Sequence, residues 1–197
     1  GYRFIRCENK IDENGDYKIG TSRLFKFSND FKTNYLPHTI ELGRSFVKPE
    51  YQIGANVRKG LFVLDNLWEG LGWLVVDNPD IKYFFGQVSI FSEKNTKTRD
   101  LILYYLKKYF PDEEKLVRPK VSVSFSSSDE ELARYFSGSN TMENHNVLSK
   151  IVRSYNENIP PLINTYINTS PKLKTFGAVD NPFFKNMVDI GILIAIK

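Results

Sequence analysis

The sequence predicts an α/β (α+β) fold in which helices flank a mixed β-sheet. Strand-like and helix-like patterns alternate in mid-chain, and two apolar segments of strand length lie close to the C-terminal end. Hydrophobic residues make up 41% of the 197 residues, as in ordinary globular proteins. A chain of this length can bury one core, so we expect a single domain over residues 1–197.

The N-terminal part contains three strand candidates. The first, YRFIRC (2–7), alternates apolar and polar residues as a half-buried strand does. A polar turn with an Asn-Gly signal separates it from the second candidate, TSRLFKFS (21–28). The third, TIELGRSFV (39–47), is ended by Pro49.

Helices and strands alternate after residue 60. The segment 61–76 has apolar residues at helical spacing and ends at an Asp-Asn-Pro stop. An apolar run at 81–91 has the length of a buried strand, and 96–111 is an amphipathic helix closed by proline. Three helices follow, at 129–136 after a Ser128 capping box, at 143–157 and at 160–170. Strands at 172–179 and 189–196 are expected to form an antiparallel hairpin.

Composition excludes several classes of function. A net charge of +4 is too small and too scattered for a nucleic-acid-binding surface. Cys7 is the only cysteine, and His38 and His145 are far apart, so neither a disulfide nor a metal site is expected. No apolar run reaches transmembrane length, and the N-terminus is unlike a signal peptide. We therefore expect a cytoplasmic protein, and peripheral contact with the inner face of the membrane stays open.

The strand candidate TIELGRSFVKPEY (39–51) carries charges where a sheet core is expected. By strand alternation Glu41 and Gly43 share one face, and Leu42 and Arg44 share the other, unless a bulge brings Glu41 and Arg44 together. A carboxylate in a sheet cleft is suited to accept a proton from an ammonium group. Glu41 is therefore a candidate catalytic base, and a structural salt bridge with Arg44 is the alternative.

The loop after this strand, QIGANVRKG (52–60), contains glycine and opens onto the helix at 61–76. Exposed N–H groups and the positive end of a helix commonly bind an anionic group. Candidate binding residues in the loop are Asn56, Arg58, Lys59 and Gly60. A solvated turn with incidental basic residues is the alternative.

Several segments together resemble the GNAT-fold, acyl-carrier-protein-dependent N-acyltransferases of the hemolysin-like group. These segments are ELGRSFVKPEY, LWEGLG, YFFGQVSI, IPPLINTYI and FGAVDNPFF…DIGILI. That group includes the lyso-ornithine-lipid synthases and the bacterial glycine N-acyltransferases. Its Glu-x-x-Arg strand recurs in the more distant acyl-homoserine-lactone synthases. The resemblance covers nearly the whole chain and implies a GNAT-like, mostly antiparallel, splayed sheet with a helical insert before the last two strands.

The resemblance implies transfer of a fatty or 3-hydroxy-fatty acyl chain from a phosphopantetheine thioester to the amine of a small amino acid. Glycine-like and ornithine-like acceptors would give an N-acyl amino acid or a lyso-aminolipid. The implied partner is acyl carrier protein, which is acidic and would meet Lys48, Arg58 and Lys59. Backbone groups of Phe46 and Val47, with those of the following loop, would hold the pantetheine arm. No tightly bound cofactor is expected.

The chain departs from the family pattern in two respects. The family begins with a strand and two helices that this chain lacks, and the chain starts inside a strand-like pattern without methionine, so we expect further residues upstream. Many GNAT enzymes also carry a Tyr-x-x-x-Gly-Phe motif whose tyrosine protonates the leaving thiolate. Tyr105 occupies that place, but Tyr109 stands at the glycine position. Tyr105 is therefore either a general acid or a core aromatic residue.

Two alternatives stay open at this point. The QIGANVRKG loop lacks the Arg/Gln-x-x-Gly-x-Gly/Ala pattern of acetyl-CoA-dependent enzymes, which favours an acyl-carrier donor over acyl-CoA. The missing upstream elements also fit a module that binds carrier protein or lipid without turnover. The acyl length, the acceptor and the oligomeric state are not determined by the sequence.

Overall fold

The computed structural model describes residues 1–51, 63–91, 95–170 and 172–196, with backbone alone for 63–65. Five of the strands in these ranges form one sheet, in the order β1–β3–β4–β7–β6. Their bounds are β1 Arg3–Arg6, β3 Thr39–Gly43, β4 Tyr83–Phe91, β6 Lys174–Asp180 and β7 Met187–Ala195. A separate antiparallel ribbon pairs β2 (Phe25–Phe27) with β5 (Val117–Pro119). The α-helices within these ranges are α1 Val63–Val76, α2 Thr96–Tyr109, α3 Asp129–Ala133, α4 Thr141–Ser154 and α5 Pro161–Thr169.

The sheet is mixed but mostly antiparallel. Among its described strands β3 and β4 run parallel, whereas β1–β3, β4–β7 and β6–β7 are antiparallel pairs. The hairpin of β6 and β7 confirms the prediction for the last two strands. Helices α3 to α5 form the insert that precedes this hairpin. The architecture therefore agrees with the GNAT-like fold class that the sequence predicts.

The two faces of the sheet are covered by different elements. Leu42, Phe84 and Val88 point to one face, where they pack with apolar residues of helices α1 to α5. Phe85 and Leu193 point to the other face, where they pack with the β2–β5 ribbon and the segment before it. Because β-strand side chains alternate, the second face also receives the side chains at odd positions of β3, β4 and β7. Most polar residues of the candidate site lie on this second face.

A bulge ends the pairing of β3 with β1. Arg3 pairs with Gly43, so an unbroken ladder would place Gly1 opposite Ser45. Gly1 instead exchanges two backbone hydrogen bonds with Phe46, at 2.7 and 3.0 Å. The extra residue coincides with Arg44, whose φ of 49° lies in the left-handed region. One additional residue with positive φ is a β-bulge, and it re-aims the chain at the end of β3.

Beyond this point β3 and β4 separate. Their pairing covers Thr39–Leu42 and Tyr83–Gly86, while β4 continues to Phe91 beside β7. At Gly86 the two strands approach each other closely, because a Cβ there would lie 2.6 Å from the Leu42 carbonyl oxygen. Glycine is thus required immediately before the sheet splays. The splayed sheet confirms a prediction that came from the family resemblance.

Several predicted bounds are wrong in detail. The second strand candidate (21–28) is a 3₁₀ turn followed by the short β2, and the third ends at Gly43, because the bulge at Arg44 interrupts the ladder. Helix α3 ends at Ala133 instead of 136. The predicted Ser128 cap is present and accepts from the Glu131 N–H at 3.2 Å.

Candidate functional site

A large cleft lies at the end of β3 and on the ribbon side of β4. Its volume is about 1220 Å³. Its walls include β1, the end of β3, the middle of β4, the segment 18–24, Leu67 of α1, the start of α5 and the loop between β6 and β7. A second, narrow pocket of about 30 Å³ lies between the splayed strands and is bounded by Gly43–Ser45 and Gly86–Val88. The two pockets share Arg44 and Gln87 among their lining residues.

Glu41 lines the cleft and is only 8% exposed. Its Oε1 accepts hydrogen bonds from the Thr21 N–H at 2.7 Å and the Thr21 hydroxyl at 2.6 Å. Its Oε2 accepts from the Gly20 N–H at 2.7 Å. A carboxylate offers about four acceptor positions, so among the described residues one position on Oε2 stays open. Glu41 thus anchors the 20–21 turn, and one acceptor position of its Oε2 has no donor among the described residues.

Arg44 is exposed and lines both pockets. Within the part of the chain that the structure describes, no ion pair joins it to Glu41, whose carboxylate is held by the 20–21 turn instead. The structure therefore does not contain the salt bridge that was the alternative to a catalytic role. The bulge at Arg44 is present but does not pair the two side chains, and Arg44 lies beside the cleft.

A second buried carboxylate, Asp189, lies behind side chains that line the cleft. Asp189 is fully buried, and its Oδ2 accepts from the Gln87 side-chain amide at 3.0 Å. It also accepts from the Ser89 hydroxyl and the Asn181 side-chain amide. Gln87, Ser89 and Asn181 all line the cleft. Asp189 thus fixes three cleft-lining side chains at once.

The Asp189 network extends to the rim of the cleft. The Asn181 side-chain oxygen accepts from the backbone N–H groups of Phe183 and Phe184, at 2.8 and 3.2 Å. The Phe183 ring lies under the Arg23 guanidinium at 3.7 Å, a cation–π contact. Arg23 belongs to the 3₁₀ turn that Glu41 anchors through Thr21. The two loops at the mouth of the cleft are therefore tied to two buried carboxylates and to each other.

The cleft rim is rich in exposed aromatic rings. Large apolar side chains that cluster in water commonly mark a surface that binds something apolar. Four such rings line the cleft with half or more of their surface exposed: Phe4 52%, Phe46 60%, Phe183 52% and Phe184 60%.

Cys7 lies behind Glu41 and is fully buried. Burial, followed by the negative charge of Glu41, raises the pKa of the Cys7 thiol to about 12. The thiol therefore stays protonated at neutral pH and is not a nucleophile.

The other predicted site residues fall into three groups. Phe46 and Val47 line the cleft beside Arg44, as expected for residues near a donor arm. Lys48 is exposed, lies 3.9 Å from the Glu50 carboxylate and does not line the cleft. The remaining candidates lie outside the described residues: Asn56, Arg58, Lys59 and Gly60.

Tyr105 is fully buried in the helical core, and its hydroxyl donates to the Thr141 carbonyl oxygen at 3.1 Å. Burial, followed by the neighbouring Tyr109, raises the pKa of Tyr105. Tyr105 does not line either pocket. Of the two roles considered for it, this placement favours the core aromatic residue. Tyr166 of α5 does border the narrow pocket.

Sequence reasoning missed the Asp189 network, although a signal was present. Gln87 and Ser89 are polar residues two apart in an otherwise apolar strand, so they share one face. Asp189 is an acid within the apolar strand β7, directly opposite Ser89. What the sequence does not give is the register that brings these residues together.

Two general features of the described residues bear on function. No group of three or more His, Cys, Asp or Glu side chains among them could hold a metal ion. None of the helices in the described ranges is long and apolar enough to cross a membrane.

Comparison with known proteins gives two curated relatives. The chain is 45% identical over 197 residues to a glycine N(alpha)-acyltransferase of Bacteroides thetaiotaomicron. It is 41% identical over 198 residues to a glycine N(alpha)-acyltransferase of Phocaeicola vulgatus. Both matches take in the whole of this chain but only 58% and 61% of the relatives' own lengths. No protein-family model and no solved structure matches. The similarity supports the sequence-based expectation of an acyltransferase.

Proposed function

We propose that this protein is an N-acyltransferase that moves a fatty acyl chain from an acyl-carrier-protein thioester to the amine of glycine or a similarly small amino acid. The observation that carries the proposal is the end of β3, where Glu41 and Arg44 line a large cleft at the splay of the sheet. The 41–45% identity to two glycine N(alpha)-acyltransferases supports the same reaction.

The acceptor end of the reaction uses Glu41 and Arg44. The open lone pair on Glu41 Oε2 accepts a proton from the acceptor's ammonium group, directly or through a water. The freed amine attacks the thioester carbonyl, a C–N bond forms, the C–S bond breaks, and the thiol leaves with the second proton. Arg44 has no described ion pair with Glu41, so its planar fork of donors is left to bind the acceptor carboxylate.

The donor end lies between the splayed strands. Past Leu42 and Gly86, β3 and β4 no longer pair with each other, and the narrow pocket opens between them. A pantetheine arm carries amide groups that can bond to such strand ends, with Phe46 and Val47 beside it. Lys48 and the basic residues Arg58 and Lys59 face an acidic carrier protein in this proposal. An acyl-CoA donor would use the same gap.

The size and lining of the cleft fit a long apolar chain together with a small acceptor. Pockets for a single small molecule are typically about 300–1,000 Å³, and this cleft is about 1220 Å³. The exposed aromatic rim gives an apolar chain a surface that removes it from water.

Product formation tests the proposal. The purified protein is incubated with acyl thioesters of carrier protein or of coenzyme A, and with glycine, ornithine or no amine, and products are identified by mass spectrometry. We expect an N-acyl amino acid, with carrier-protein thioesters and glycine giving the highest kcat/KM. Donor binding without product for any amine would favour the non-catalytic module and refute the proposal.

A paired substitution tests the base. Glu41→Gln replaces one acceptor oxygen by a donor that faces an N–H of the 20–21 turn, so it removes the base and also destabilises that turn. Thr21→Val removes one donor to Glu41 but keeps the carboxylate. We expect Glu41→Gln to lower kcat by about a hundredfold or more, with Thr21→Val much closer to wild type. Equal losses in the two variants would assign Glu41 a purely structural role.

A further inference from the structure

The amide of Gln87 is held in one orientation by a buried carboxylate. Asp189 is fully buried and acts only as an acceptor in this network, so Gln87 must turn its NH₂ group toward it. The Gln87 side-chain oxygen is consequently directed away from Asp189. That oxygen is buried, and no donor among the described residues bonds to it.

A buried acceptor without a donor is unfavourable and uncommon in native proteins. The rest of the network is well satisfied, since Asp189 has three donors and the Asn181 side-chain oxygen has two. The orphaned oxygen of Gln87 therefore stands out within an otherwise complete set of hydrogen bonds. A ligand that carries an N–H group would satisfy it.

Sheet register places Gln87 close to the candidate base. Glu41 lies opposite Phe85 in the parallel pair, so Gln87 is two residues further along the neighbouring strand and on the same face. Glu41 and Gln87 both line the cleft, and Gln87 also borders the narrow pocket between the strands.

We propose that Gln87, oriented by Asp189, binds an N–H of the acceptor amine and selects primary amines. This inference rests on the proposed acyl transfer. An ammonium group has three N–H bonds. One proton goes to Glu41, and the lone pair that this frees attacks the thioester carbon. A second proton leaves with the thiol as the C–S bond breaks, and the third N–H, which the amide product keeps, donates to the Gln87 oxygen. That N–H directs the lone pair toward the thioester at the splay.

A secondary amine makes the role of Gln87 measurable. Sarcosine is glycine with one N–H replaced by a methyl group. Its two N–H protons go to Glu41 and to the leaving thiol, so none is left to donate to the Gln87 oxygen as the C–S bond breaks. The wild-type protein is expected to prefer glycine over sarcosine by about tenfold to a hundredfold in kcat/KM, the range that one hydrogen bond to a charged group supplies. A wild-type ratio near one would overturn the inference without any variant.

The variants are Gln87→Met and its matched control Ser89→Ala. Each removes one donor to Asp189, but only Gln87→Met removes the orphaned oxygen. We expect Gln87→Met to raise the KM for glycine about tenfold or more, to leave the KM for the acyl donor within about twofold and to bring the glycine-to-sarcosine ratio close to one. Ser89→Ala should keep the wild-type ratio.

The outcomes separate the two levels of the proposal. No product from the wild-type protein with any amine refutes the acyltransferase function itself. If the wild type forms product but Gln87→Met and Ser89→Ala have the same glycine-to-sarcosine ratio of kcat/KM, only the role of Gln87 is refuted. If Gln87→Met does not fold, Asp189→Asn serves instead, because a side-chain amide in place of the carboxylate lets Gln87 turn its NH₂ group toward the amine. We expect Asp189→Asn to have a lower glycine-to-sarcosine ratio of kcat/KM than the wild type, and an unchanged ratio counts against the inference.

Discussion

Gly86 lies where β3 and β4 approach each other closely before they separate, and replacing it tests the geometry of the site. A Cβ at Gly86 would lie 2.6 Å from the Leu42 carbonyl oxygen, where ordinary contact begins at 3.4 Å. Gly86→Ala therefore forces the two strands apart by about 0.8 Å, or displaces their register, in a tightly packed sheet. The oxygen belongs to the backbone, so no side-chain rotation can relieve the overlap.

The expected cost follows from this overlap. Overpacking of a well-packed core typically lowers the free energy of unfolding by about 1–3 kcal/mol. Gly86→Ala also strains the hydrogen bonds between β3 and β4, so we expect a loss at the upper end of this range. A protein of this size loses about 2–4 °C in Tm for each kcal/mol. We expect a decrease of about 5–10 °C in Tm, which leaves a typical domain folded at 25 °C.

Gly43→Ala is the matched control, because Gly43 also lies at the splay but has no atom within 4 Å of the position of a Cβ. Alanine there restricts the unfolded chain and costs no overlap, so its free energy of unfolding should be unchanged or up to about 1 kcal/mol higher. Urea unfolding followed by tryptophan fluorescence measures both variants. Equal stabilities of Gly86→Ala and Gly43→Ala would refute the close approach of β3 and β4 at Gly86.

Three further predictions concern residues around the site. Tyr105→Phe removes one buried hydrogen bond to Thr141, so we expect a loss of about 1 kcal/mol in stability and an unchanged kcat; a hundredfold lower kcat would restore Tyr105 as the general acid. Asn181→Ala frees the 181–187 loop from Asp189, so trypsin should cut at Lys185 faster than in wild type; an equal rate would mean that the anchor is dispensable. Cys7 keeps its proton in the folded state to about pH 12, because its pKa is raised to that value from an ordinary value of 9.0. Above pH 9 the unfolded chain loses that proton first, so stability falls by about 1.4 kcal/mol per pH unit from this group; Cys7→Ala should show a shallower fall by urea unfolding, and an identical slope would contradict the burial of the thiol.

Patterns within one segment were predicted well from the sequence. The order of strands and helices, the terminal hairpin and the Ser128 cap all follow from periodicity and capping residues, which act over a few neighbouring positions. The unusual position of Glu41 and Arg44 was also visible, since charges in a strand pattern are uncommon.

The partners of those charges could not be predicted. The sequence left open a pairing of Glu41 with Arg44, because they are three residues apart. In the fold Glu41 is bound by Gly20 and Thr21, which lie about twenty residues earlier, and the bulge turns Arg44 toward the cleft. A backbone N–H has no signature in the sequence, so only the folded chain could identify these donors.

By itself the sequence determined most of the strands and helices, and that a carboxylate and a guanidinium lie at the end of one strand. Tertiary structure alone decided which of the polar residues share a site. Glu41, Gln87 and Asp189 lie on three different strands, and only the register of β3 with β4 and of β4 with β7 places them on one face. Register depends on hydrogen bonds between segments up to about a hundred residues apart, which no local pattern encodes. The cleft, the splay at Gly86 and the orphaned oxygen of Gln87 all follow from that register.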